Sequence, residues 1–279
     1  MARIGRLIQT RAASLPDAPH SLVPSMFLLN HFCYTTWMIG IFSGKKALVV
    51  GGTGGIGRAV AMGLAERGAE LTVHGGSSAE KLESALREIR GKGAKGDGFL
   101  LHIEGPADAE EIIAHSPQPD ILVCAWGPFR QGKLEALDRE FWQGMVESNL
   151  VFPGFLVSLC LRGMMERNWG RILLFGGTNT DTIRGFTSTT AYSTAKTALG
   201  VLAKSTALTA ASRGVTCNVL CPGLTDTEYT TAELLRYNSE KSPDRKPLKP
   251  EQIAQTALNI LEDASINGAV IPADKGTIL

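Results

Sequence analysis

The sequence predicts an α/β protein, a doubly wound parallel sheet in a single domain, and three observations predict it. From Lys45 onward, short β-branched or apolar runs alternate with helix-like stretches. The runs are apolar throughout, as strands covered on both faces are, rather than apolar at every second residue. A glycine-rich turn closes the first run and opens the first helix-like stretch. Strands of this kind joined through helices form a parallel sheet with right-handed crossovers.

In order, strands are expected at Ala47–Val50, Leu71–His74, Phe99–Ile103, Ile121–Cys124, Ile172–Phe175, Val215–Leu220 and Ala269–Pro272. Helices are expected at Ile56–Arg67, Ala79–Arg90, Ala107–His115, Asp138–Arg167, Thr190–Arg213 and Pro250–Asp263. There is no internal repeat and no low-complexity linker. The stretch Thr225–Lys249, rich in charge and Thr, is the longest without a strand. It reads either as a mobile lid over a substrate cleft or as a solvated connection.

Composition narrows the function classes. Apolar residues make up 44% and charged residues 20%, the balance of a globular chain with a substantial core. A net charge of +1 with no basic or acidic block gives no reason to expect nucleic acid or a membrane surface as partner. Five scattered cysteines, an odd number, read as reduced buried thiols of a cytoplasmic protein. Cys217 and Cys221 share an expected strand, where their spacing separates them by about 13 Å, and the histidines are dispersed, so no metal site is expected.

Residues 1–43 differ from the rest and are read as an N-terminal extension to a domain spanning 44–279. Residues 1–16 carry Arg3, Arg6 and Arg11 and no acid before Asp17, as an organellar transit segment would. Ser21 to Gly44 lacks any charged side chain, but Pro24, Asn30 and His31 argue against a membrane span. Met38 as the true start, with an upstream extension before it, is the reading placed first.

Gly51-Gly52-Thr53-Gly54-Gly55-Ile56-Gly57 sits between the first strand and the first helix. Glycines there permit a tight turn and let the backbone approach a pyrophosphate, while the helix start offers free N–H groups. The setting makes this a Rossmann-type dinucleotide turn. Two spacings fit: Gly52/Gly54/Gly57 and Gly51/Gly55/Gly57. An acid that would bind the adenosine ribose is missing after the second strand, which runs into Gly75-Gly76-Ser77-Ser78. Ser77 and Ser78 can instead donate to a 2′-phosphate, which favours NADP(H) and leaves NAD(H) open.

Tyr192 and Lys196 lie one helical turn apart at the start of a long helix, directly after a strand of the sheet. An ammonium beside a phenol is expected to pull the phenol down toward neutrality and make it an acid/base for a carbonyl or alcohol. Tyr237 and Lys241 share the spacing but lie within Thr225–Lys249, away from the strands' carboxyl ends.

Here the chain resembles the short-chain dehydrogenase/reductases, from about Ser43 to the C-terminus. Gly51, Gly55 and Gly57 match the family's glycine turn, and Cys124-Ala125-Trp126-Gly127 occupies the place of its N-N-A-G motif. Asn149 matches the helix Asn that orders a relay water. Tyr192 and Lys196 match the catalytic pair, and Pro222-Gly223-Leu224 with Thr227 resembles the segment bordering the nicotinamide. The resemblance implies a cofactor site of Gly51, Thr53, Gly54, Gly55, Ile56, Gly57, Ser77, Ser78, Ala125, Gly127, Tyr192, Lys196, Pro222, Gly223, Leu224 and Thr227.

The family's substrate-binding Ser has no direct match. Counted from the strand, its position is Gly177; counted back from Tyr192, it is Asn179. Thr178 lies between, keeps a hydroxyl, and completes the expected catalytic set with Tyr192, Lys196 and Asn149. Trp126 and Phe129 either line the substrate pocket or pack under a loop. The resemblance implies a ketoreductase most like 3-oxoacyl-[acyl-carrier-protein] reductases, taking a small or carrier-bound carbonyl substrate. A hydroxysteroid or small-ketone dehydrogenase, or a nucleotide-binding sensor that has lost turnover, are the alternatives. It also implies a homodimer or homotetramer formed through the helices at Asp138–Arg167 and Thr190–Arg213.

Overall fold

The structure is a computed structural model that describes residues 40–276. The expectations for residues 1–37, and for Cys33 among the thiols, lie outside the described residues. Seven strands form one parallel sheet, ordered β3-β2-β1-β4-β5-β6-β7. They are β1 (Lys46–Val50), β2 (Glu70–Gly75), β3 (Gly96–Leu100), β4 (Ile121–Cys124), β5 (Gly170–Phe175), β6 (Val215–Pro222) and β7 (Val270–Ala273). The helices are α1 (Gly55–Glu66), α2 (Ala79–Gly91), α3 (Asp108–His115), α4 (Arg139–Val146), α5 (Phe152–Glu166), α6 (Thr190–Ala210), α7 (Ala232–Lys241) and α8 (Pro250–Glu262).

Alternation along each strand explains the unbroken apolar runs. Val49, Val123 and Leu173 face one layer with Val60 and Leu64 of α1 and Leu258 of α8. Their neighbours Leu48, Leu122 and Ile172 face the opposite layer with Phe152 and Leu156 of α5 and Leu199 of α6. Each such side chain gains about 1.5–3 kcal/mol from leaving water, and Leu156→Ala would cost about 2–5 kcal/mol.

The helices follow the same logic. On α5, Phe152, Leu156, Cys160 and Met164 recur every fourth residue, and all are buried. The stretch Arg139–Glu166, which includes this buried stripe, is long and apolar enough to cross a membrane. Pro250 starts α8, where its missing N–H costs nothing.

Two expectations need correction. The single helix Asp138–Arg167 is α4 and α5 joined by one π turn, Glu147–Val151. The third strand starts three residues earlier than Phe99, because Gly96 and Gly98 pair with Leu71 and Val73. A Cβ at either would stand 2.7 Å from Ile89 or Leu82 of α2, so glycine lets the helix lie close. Thr225–Lys249 contains α7, and its ends are tied by the Thr225–Leu248 bridge and by Asp226 N–H donating to Leu248 O at 2.7 Å. Phe42, read as part of the extension, is 2% exposed, and its N–H donates to Arg67 O.

Candidate functional site

The site lies where the strand order changes direction, at the carboxyl ends of β1 and β4. Gly51 and Gly55 have φ of +79° and +50°, which favour glycine. A Cβ at Gly57 would overlap the Gly51 carbonyl, and one at Gly51 would come 3.1 Å from the Ala125 backbone. The spacing that shapes the turn is therefore Gly51/Gly55/Gly57. Gly52 has no left-handed conformation and is small because Val49 and Val73 lie 2.9 Å from its Cβ position. Thr53 is buried and packs on Gly75.

His74 supports this turn, a role without a sequence signal. Its Nδ1 accepts from Gly51 N–H at 3.2 Å and its Nε2 lies 2.9 Å from Leu101 O, the arrangement of a neutral ring. Burial lowers its pKa, the Leu101 carbonyl raises it, and His115 adds to the lowering. After β2, Ser77 is exposed, and Ser78 caps α2 by accepting from Lys81 N–H at 3.2 Å. Nothing lies within 4 Å of the Gly76 Cβ position.

The chemical residues converge from β5, α6 and the π turn. Lys196 is buried, and its Nζ donates to Phe175 O at 2.9 Å and lies 5.8 Å from the Tyr192 ring centre. Burial pushes the Lys196 ammonium down to about 8, against the pull of Cys124 and Cys221. The Tyr192 phenol is pushed up, first by burial and then by Cys221. This direction is opposite to the expected lowering, and burial is its leading cause. Asn149, fully buried, comes from the π turn, and its Nδ2 donates to Pro128 O at 3.0 Å. Its Oδ1 has no protein partner, an orphaned acceptor of the kind that holds an ordered water. A Cβ at Gly127 would stand 2.6 Å from Asn149 Oδ1 and 3.0 Å from Lys196 Nζ.

Gly177 is the position aimed at Tyr192. A Cβ there would stand 2.8 Å from the ring and 3.1 Å from its hydroxyl oxygen. The Thr178 hydroxyl is directed elsewhere, donating to Pro222 O at 3.1 Å. Thr180 is buried and closes on Gly177, accepting from its N–H at 2.8 Å. The two-residue ambiguity in counting arises from this tight Gly177–Thr180 loop.

A cavity of about 760 Å³ opens beside Tyr192 and includes Ile56, Pro222, Gly223, Leu224 and Thr227. Phe129 lines it and meets Tyr192 edge-on at 4.9 Å, whereas Trp126 packs edge-on against Phe152 at 5.1 Å in the core. Thr227 faces Gly55, its Cγ2 3.4 Å from the Cβ position. Glu228, which sequence reasoning missed, reaches the same turn through a hydrogen bond from Gly55 N–H. A dinucleotide fits this frame: a glycine-rich turn at a helix start, an orphaned Asn149 acceptor, and a cavity lined by both Ile56 of the turn and Tyr192.

Comparison with known proteins gives a consistent result. The sequence pattern of the short chain dehydrogenase family matches residues 45–237. The 3-oxoacyl-[acyl-carrier-protein] reductase FabG of Escherichia coli (strain K12) is 36% identical over 195 residues, covering 68% of this chain and 78% of that protein. The D-beta-hydroxybutyrate dehydrogenase of Cupriavidus necator is 27% identical over 262 residues, covering 85% and 99%. A solved short-chain dehydrogenase/reductase from Serratia marcescens BCRC 10948 superposes with a TM-score of 0.75 at 26% identity, covering 85% and 98%.

Proposed function

The chain belongs to the short-chain dehydrogenase family and is an oxidoreductase, and from that premise we propose that it reduces 3-oxoacyl thioesters with NADPH. One observation carries the reading: a single cavity is lined by Tyr192 and, through Ile56 and Thr227, by the mouth of the glycine turn. Apolar walls from Phe129, Phe186 and Leu224 suit an acyl chain. The names of the two relatives, a 3-oxoacyl reductase and a β-hydroxybutyrate dehydrogenase, agree on oxygen at the β carbon.

Gly51, Thr53, Gly54, Gly55, Ile56, Gly57 and Thr227 would hold the pyrophosphate, and Ser77 and Ser78 the adenosine end. Ala125, Gly127, Pro222, Gly223 and Leu224 would border the nicotinamide, whose ribose Tyr192 and Lys196 would bind. When bound, the nicotinamide supplies or accepts the hydride. Tyr192, held as the neutral phenol by burial, gives its proton to the carbonyl oxygen during reduction. The Lys196 ammonium stabilises the phenolate left behind. Asn149 Oδ1 orients a water that returns the proton through Lys196.

Gly177 favours a second reading, a nucleotide-binding member with little turnover, because no side-chain hydroxyl from that position stands beside Tyr192. Consumption of reduced nicotinamide with an acetoacetyl thioester, a small ketone and a steroid ketone separates the cases. The thioester should be fastest and NADPH preferred. A faster ketone would replace the substrate class, and NADPH binding without turnover of any carbonyl would establish the second reading. Val201 and Leu208 on α6 are 68% and 89% exposed, which supports a homodimer or homotetramer, to be checked by sedimentation.

A further inference from the structure

Glu228 lies in the segment before α7, outside the set of Tyr192, Lys196 and Asn149. Its Oε2 accepts from Gly55 N–H at 3.1 Å, and its Oε1 is 3.3 Å from Lys81 Nζ. Tyr229 closes the group: Lys81 Nζ sits 4.9 Å from its ring centre, and its hydroxyl is 2.6 Å from the Cβ position of Gly54. Glu228 itself overlaps that Cβ position. The face of Gly54 that a pyrophosphate would approach is thus covered by an acid.

An exposed ion pair alone is worth little. This carboxylate does more, because it takes a backbone N–H at a helix start together with an ammonium, the two kinds of donor that bind phosphate. Burial raises the Glu228 carboxyl pKa, but hydrogen bonds from its own N–H, Lys81 and Gly55 outweigh this and keep it below the usual range. It is therefore anionic at neutral pH. A phosphate and this carboxylate cannot share the Gly55 amide.

We propose that Glu228 is an internal competitor of the cofactor phosphate, and that Lys81 passes from Glu228 to that phosphate when cofactor binds. This rests on the reading of the glycine turn as a dinucleotide site. Such competition lowers the apparent affinity by the fraction of molecules in which Glu228 has released the turn. The Thr225–Leu248 bridge gives the swinging residues a fixed base.

Calorimetric titration of the full chain with NADPH, NADH and inorganic pyrophosphate tests this. Glu228→Gln keeps the size and loses the charge, and should tighten NADPH and pyrophosphate by about 3- to 10-fold. Glu228→Ala should behave alike, which separates charge loss from a new amide contact. Adding Lys81→Met to the Glu228→Gln chain should weaken pyrophosphate, because the ammonium there has lost its carboxylate partner and can turn to phosphate. Equal or weaker NADPH binding by both Glu228 variants overturns the competition while dinucleotide binding stands. No effect of Lys81→Met in that background overturns the transfer of Lys81. If neither nucleotide binds the parent chain or any variant, the dinucleotide reading itself fails.

Discussion

Tyr192 stands against a residue that has no side chain, so in the proposed reaction its hydroxyl would carry the proton transfer without a neighbour from Gly177. Tyr192→Phe should leave NADPH affinity within about twofold and cut kcat by roughly 10²–10⁴; Tyr237→Phe is the control, and equal losses in the two would reject the assignment. Thr178→Val should cost less than about tenfold in kcat, because that hydroxyl is engaged by Pro222 rather than by substrate. Gly76→Asp meets no steric barrier. Its carboxylate would repel a 2′-phosphate and accept from ribose hydroxyls, moving the NADPH/NADH affinity ratio at least about tenfold toward NADH by titration. At this scale the sequence was informative wherever function depends on local spacing. Tyr192 and Lys196 are one helical turn apart, and the glycines follow a strand. The hydroxyl position was not readable, because the Gly177–Thr180 loop changes the count without leaving a pattern.

Elements were legible where burial on both faces wrote them as apolar runs, and illegible where backbone alone defines them. Gly96-Asp97-Gly98 pairs as a strand with little side-chain signal. The π turn lies inside an otherwise continuous helical pattern, and α7 is too charged to show a buried stripe. The end of β2 carries a prediction of its own. His74 is buried and accepts from Gly51 N–H, so the fold favours its neutral form. A pKa depressed below the ordinary 6.5 means the unfolded chain takes the proton first. The contribution is complete above that value and is lost as pH falls through the window below it, by at most about 1.4 kcal/mol per pH unit. Urea midpoints between pH 7 and pH 5 should fall more steeply for the parent than for His74→Asn, whose amide oxygen can accept but does not titrate. Parallel slopes would remove His74 from the account.

For the whole molecule, we propose a boundary before Phe42, which is buried and tied to Arg67. A chain starting at Met38 should stay soluble and bind cofactor as the full chain does; unfolding or lost binding on titration would place residues 1–37 within the functional fold. One hydrogen bond shows why the rest of the site was hidden. Glu228 and Gly55 are separated by 173 residues, and no local spacing encodes such a meeting. The parallel sheet extends that point to kinetics. The centre of the sheet pairs β1 with β4, joining positions such as Lys46 and Asp120 that are 74 residues apart. A large loop must close before that pairing gains any free energy. Topologies of this kind collapse first and find their register late, on the millisecond-to-second scale rather than in microseconds. Until β4 arrives, β1 has an open edge on that side, so the nascent chain is most exposed to self-association before residue 124 has been made.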